Sequence, residues 1–75
     1  MQYNKLGNYI REKRKELNIS LNEFAFNCGI EPATLSNFET GKSGILFDNI
    51  IKISLGFNKT VGELLTEYEK TQKST

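Results

Sequence analysis

The 75 residues include ten basic and nine acidic side chains, no histidine and one cysteine, and 37% are hydrophobic. That length makes one small domain with little surface to spare for its core. It contains no apolar run long enough to span a bilayer and no secretory signal at MQYNKLGNYI, and Cys28 has no partner for an internal disulfide, so a cytoplasmic, reducing setting is expected.

The net charge of +1 is unevenly spread. Residues 1 to 19 carry +3, residues 20 to 41 carry −3 with no basic side chain at all, and residues 42 to 75 carry +1. The acidic middle stretch bears on any polyanionic partner.

From the N-terminus, Leu6, Ile10, Arg14 (or Lys13) and Leu17 recur at helical spacing over Lys5 to Leu17. Arg14 thus falls on the inward stripe of the first helix, which Asn18 and Ile19 end. Ser20 and Glu23 form a capping box that opens a second, eight-residue helix. It turns Phe24, Ala25 and Cys28 inward and stops at Gly29, where a left-handed cap is readily adopted. Pro32 fits the first turn of a third helix, which presents Leu35 and Phe38 to the core and ends near Gly41.

A loop over 42 to 45 leads to a fourth helix from Leu46 or Phe47 to Leu55, with Phe47, Ile50 and Ile53 expected inside. Gly56 to Lys59 reads as a turn, and Thr60 with Glu63 as a second capping box. The fifth helix is expected from Val61 to about Glu69, contributing Leu64 and Leu65, with a polar tail over 71 to 75. No alternating β-branched run is present. The expected fold is all-α: a compact five-helix domain over residues 1 to 70 with a helix-turn-helix at about 20 to 39.

The stretch LGNYIREKRKELNISLNEFAFNCGIEPATLSNFETGKSG, continued by LFDNIIKISLGFNKTVGELL, resembles the lambda-repressor-like, Cro/C1-type (XRE) helix-turn-helix family over about residues 6 to 65. The joint spacing of Ala25, Gly29, Leu35 and Glu39-x-Gly41 carries the resemblance. It implies sequence-specific binding of double-stranded DNA, as a homodimer, by a prokaryotic or phage transcriptional regulator, with repression the expected mode. It places the third helix in the major groove. By resemblance Pro32, Ala33, Ser36 and Asn37 face the bases, and Asn22, Thr34, Thr40, Lys42 and Ser43 face phosphates. Arg14 and Glu39 fall where the family often has an internal ion pair.

Four positions depart from the family pattern. Leu21 stands where many relatives have glutamine. Pro32 and Ala33 replace amides and hydroxyls; they can touch a thymine methyl but make no bidentate base contact. Ile45 takes the place of a proline.

Each assignment has a plainer counterpart. Asn37 can be an ordinary exposed helical amide, Lys42 with its neighbours a solvated loop, and Arg11, Lys13 and Lys15 a solvated face. Ile51 and Leu55 share an outward face that, with Val61 and Leu65, is a candidate subunit interface; the plainer reading is a partly covered core edge. Phe26 also points outward. Together with the acidic stretch, it supports a second reading: a protein-interaction module of the same fold with weak or no DNA binding, engaging a protein partner. With no histidine, no second cysteine and no Gly-rich phosphate loop, neither catalysis, a metal nor a cofactor is expected.

Overall fold

A computed structural model describes residues 3–73, which form five helices: α1 (Tyr3–Glu16), α2 (Leu21–Cys28), α3 (Pro32–Glu39), α4 (Phe47–Gly56) and α5 (Val61–Lys73). All are α-helices, and the whole packs into a body of 32 × 26 × 23 Å. Helices α2 and α3 have eight residues each, too short to persist without tertiary packing. They obtain it from a core of Ile10, Phe24, Ala25, Cys28, Leu35, Phe38, Ile50, Ile53, Phe57 and Leu64, in which every helix takes part.

The same local chemistry ends one helix and starts the next at two places. Asn18 and Asn58 both adopt a left-handed conformation, at φ 58° and 60°, which asparagine tolerates better than most residues. The amide that follows each of these asparagines closes the helix end, from Ile19 to the Arg14 carbonyl at 3.2 Å and from Lys59 to the Ser54 carbonyl at 2.9 Å. A hydroxyl then caps the following helix. Thr60 and Glu63 form the full reciprocal box, at 2.8 and 3.1 Å. At Ser20 only half of the expected box is present. Its hydroxyl accepts from the Glu23 amide at 3.1 Å, and the Glu23 carboxylate makes no return bond.

Helix α1 lies so close to the end of α3 that a Cβ on Gly7 would overlap the Phe38 carbonyl. A glycine is required there by the approach of the two backbones. This contact, the tight α2–α3 turn at Gly29 (φ 77°) and the shared core fix the angle of the helix-turn-helix.

Several expectations need correction. Leu17 lies outside α1 and is 53% exposed; the left-handed turn at Asn18 begins too soon for it to stay on the inward stripe. Phe47 is 63% exposed because it is the first residue of α4, and the α4 face toward the core is carried by Ile50, Ile53 and Ser54. The core aromatic of this region is Phe57, in what reads as a turn. Its ring lies 4.6 Å from that of Phe24. Helix α5 runs to Lys73, beyond Glu69 and into the expected tail, of which residues 74 and 75 lie outside the described residues.

Helix α5 has a docking partner in α1. Glu67 lies between two lysines, 3.4 Å from Lys13 and 2.8 Å from Lys59. Tyr9 and Tyr68 pack with ring centroids 5.5 Å apart. The Lys13 ammonium also sits 5.9 Å from the Tyr9 ring and 5.7 Å from the Phe57 ring. Lys13 is therefore engaged within the domain rather than on a free cationic face.

Candidate nucleic-acid interface

The geometry of α3 follows from its two faces. Leu35, Phe38 and Glu39 point inward and are buried, while Pro32, Ala33 and Asn37 are exposed and Thr34 and Ser36 half-buried. Ala33 and Asn37 are four residues apart and so share one face, one helical turn from each other. Glu31 precedes the helix as its N-cap without making a side-chain cap bond, which leaves the first-turn amides of Ala33 and Thr34 open.

The inward side of α3 is fixed by the Arg14–Glu39 pair. Arg14 Nε and Nη2 donate to the two Glu39 carboxylate oxygens, each at 2.9 Å. Arg14 Nη1 donates to the Ile19 carbonyl at 2.7 Å. The two residues are only 8% and 3% exposed. Glu39 holds the Arg14 guanidinium above its already high pKa through these hydrogen bonds, more than burial lowers it. A planar fork matched to a carboxylate is a geometry lysine could not supply.

After α3 the chain folds back on a single acceptor. The Asn37 carbonyl receives the amides of Lys42 at 2.9 Å and Ser43 at 3.3 Å, with the Thr40 hydroxyl at 3.5 Å. Thr40 Oγ1 donates more closely to the Ser36 carbonyl, at 2.9 Å. Both the Thr40 proton and the Lys42 and Ser43 amides are thus committed internally. Toward a phosphate, this loop offers the Lys42 ammonium and the Ser43 hydroxyl, both on exposed residues.

On α2, Asn22 is exposed at the start of the helix and Leu21 is half-buried against the core. Phe26 is 84% exposed, two residues beyond buried Phe24. Cys28 is a core residue, and burial pushes its thiol up to about 11. Among the described residues no group of three or more His, Cys, Asp or Glu side chains could hold a metal ion. No helix among them is long and apolar enough to cross a membrane.

Residues 10–64 match the family described as Helix-turn-helix. The chain belongs to that family. Among curated relatives, the control protein C.MunI of a Mycoplasma species is 33% identical over 67 residues, which cover 88% of this chain and 90% of that one. The uncharacterized HTH-type transcriptional regulator YddM of Escherichia coli K12 is 43% identical over 49 residues, 65% of this chain and 52% of YddM. Two crystal structures of the clp gene regulator ClgR from Corynebacterium glutamicum share the fold, with TM-scores of 0.79 and 0.77 and 21% identity over 95% of this chain. They are covered to 76% and 92% of their own length. The five-helix all-α domain is thus a helix-turn-helix domain related to transcriptional regulators.

Asn37 and Ala33 share an exposed face, and Lys42 follows from the adjoining loop. The Arg14–Glu39 pair lies on the opposite, buried side of α3. Two features of this region escape a reading of residue types alone. One is the Asn37 carbonyl hub, formed by main-chain bonds that leave no trace in side-chain identity. The other is Phe47, which extends the outward Ile51–Leu55 face of α4 by one turn; its spacing of four from Ile51 is the signal that could have found it.

Proposed function

We propose that the protein is a sequence-specific double-stranded DNA-binding transcriptional regulator that acts by occupying its site, as a repressor, and binds as a homodimer. The observation that carries this reading is the outward face of α3. Pro32, Ala33 and Asn37 on it are exposed and uncommitted, while the opposite face is locked to α1 by Glu39. Pro32, Ala33, Ser36 and Asn37 are assigned to the bases. Asn22, Thr34, Thr40, Lys42 and Ser43 are assigned to phosphates, Thr40 by turning its hydroxyl proton away from the Ser36 carbonyl.

For the subunit contact, Phe47, Ile51 and Leu55 lie at spacings of four along α4, and Val61 and Leu65 of α5 are half-buried. Recognition helices of a dimer sit about 34 Å apart, one turn of DNA. A body whose longest dimension is 32 Å can meet its neighbour across that spacing when its long axis is directed at it. A Leu55→Glu variant should sediment as a monomer where the parent forms dimers on DNA.

Selection from random duplexes at low salt, followed by titration in salt, tests the reading. A two-fold-symmetric site should be enriched. With Lys42 and basic residues outside the motif neutralising two or three phosphates per subunit, the log–log salt slope should be roughly −4 to −5 for the dimer. The second reading, a protein-interaction module, draws on exposed Phe26 and on the lack of any basic residue from 20 to 41. It predicts no enrichment.

A further inference from the structure

Pro32 and Ala33 together present only carbon on the exposed face of α3, whereas Asn37, one turn later, presents an amide oxygen and two amide hydrogens. Among the described residues the Asn37 side chain has no partner, since the bonds that converge on this residue all go to its main-chain carbonyl. The Thr40 hydroxyl, three residues on, is turned back onto the Ser36 carbonyl. The face thus carries one apolar prong and one amide prong, with Cβ atoms about 5–6 Å apart. That separation reaches from one base pair to the next.

On the major-groove edges of DNA the apolar group a side chain can meet is the 5-methyl of a pyrimidine, and the edge that complements an asparagine amide is adenine N6 and N7. We infer that α3 reads methyl groups: the Pro32–Ala33 surface takes the 5-methyl of a pyrimidine beside the adenine that Asn37 holds, so the modification state of the duplex controls binding along with its sequence. The inference rests on the DNA-reading role proposed for α3. Its consequence for adenine follows from base pairing. N6-methyladenine keeps one N6 hydrogen, and pairing with thymine uses it. The methyl then lies on the N7 side, in place of the hydrogen that Asn37 Oδ1 would accept. A methyl on the pyrimidine is required and a methyl on the neighbouring adenine is refused.

The test uses the enriched duplex with single substitutions: each thymine by deoxyuridine, each cytosine by 5-methyldeoxycytidine, each adenine by N6-methyldeoxyadenosine. If thymine supplies the methyl, a single deoxyuridine at that position in one half-site weakens binding about fourfold, the effect of one buried methyl. If cytosine modification supplies it, one 5-methyldeoxycytidine tightens binding by a similar factor and deoxyuridine is neutral throughout. In either case N6-methyldeoxyadenosine at the adjacent position weakens binding about tenfold or more. The Pro32→Gly/Ala33→Gly double variant, its helical content checked by circular dichroism, should lose the pyrimidine effect and keep the adenine effect. The Asn37→Ala variant should do the reverse. Tolerance of every substitution within about twofold, on a duplex the protein does bind, overturns the inference and leaves the DNA-reading role standing. So does a pyrimidine effect that survives in the double variant. If no duplex is enriched, the DNA-reading role falls and this inference falls with it.

Discussion

Arg14 and Glu39, 25 positions apart in the chain, meet through two parallel hydrogen bonds of 2.9 Å on the buried side of α3. The third nitrogen of the same guanidinium holds the Ile19 carbonyl in the α1–α2 turn at 2.7 Å. One side chain therefore ties together α1, the start of the helix-turn-helix and its last residue. Removing it leaves a buried carboxylate without a partner. Arg14→Ala should destabilise the domain by about 3–5 kcal/mol, and Arg14→Lys should recover only part of that because an ammonium cannot make the paired contact. Urea melts of the two variants decide it. A change under about 0.5 kcal/mol for Arg14→Ala would mark the pair as no better than an exposed one.

Gly7 offers a test in which packing and helix propensity predict opposite signs. In the interior of α1, alanine is better than glycine by about 1 kcal/mol. Here the added methyl would meet the Phe38 carbonyl, and backbone cannot move aside as a side chain can. Gly7→Ala should therefore destabilise by about 1–3 kcal/mol, the usual range for overpacking. A stabilised variant in thermal melts would show that α1 and α3 do not approach this closely.

Cys28 reports on opening of the core. It is 8% exposed, and burial pushes its thiol up to about 11. At about pH 8 only roughly one thiol in a thousand would then be ionised in the folded state, and the thiolate is the reactive form. Labelling by a thiol reagent should proceed at the rate of unfolding and speed up in Arg14→Ala. Labelling as fast as that of a free cysteine would contradict the packing of α2 against α4.

The docking of α5 on α1 carries a pH signature. Lys59 and Lys13 hold the Glu67 carboxyl below its ordinary value, with the Lys59 hydrogen bond the largest influence. A group depressed on folding adds stability above its unfolded pKa, and that contribution disappears as pH falls through the folded one. Docking should thus be complete at neutral pH and weaken as pH drops below the usual carboxylate range, about 4.3 for glutamate. Glu67→Gln should weaken it at neutral pH and remove the acid dependence. Tyrosine emission from Tyr9 and Tyr68 is the readout, and identical acid titrations of the two proteins would count against the clamp.

The fold is largely legible in the sequence because its punctuation is local. Ser20, Gly29, Pro32 and Thr60 each mark a boundary through their own backbone or hydroxyl chemistry, and all lie at helix boundaries in the structure. Arg14 falls on the inward stripe from its spacing after Ile10 alone. What cannot be read this way depends on distant partners. Phe57 looks like a turn residue until Phe24 is brought beneath it, and Lys13 looks like solvated charge until α5 delivers Glu67. Leu17 and Phe47 fit the helical period but stand at helix ends, where the period no longer decides which way a side chain points.

Charge near the motif should act on all sequences alike. Lys42 is assigned to a phosphate, and Glu31 lies at the start of α3 with no cap bond to occupy it. Lys42→Ala should weaken binding to any duplex and make the salt slope shallower by about 1 for each phosphate it had neutralised. Glu31→Gln should tighten it on any duplex. Effects confined to the selected site would show that these residues touch bases instead.

The outward face of α3 is the surface proposed to read DNA, and Asn37 tests that role most directly. Affinities of the parent and of Asn37→Ala should be measured for the selected duplex and for a scrambled one of the same composition, at one salt concentration. A DNA-reading α3 predicts a cost of about 1–3 kcal/mol on the selected duplex and no change on the scrambled one. Equal affinity of the two proteins for both duplexes would contradict it.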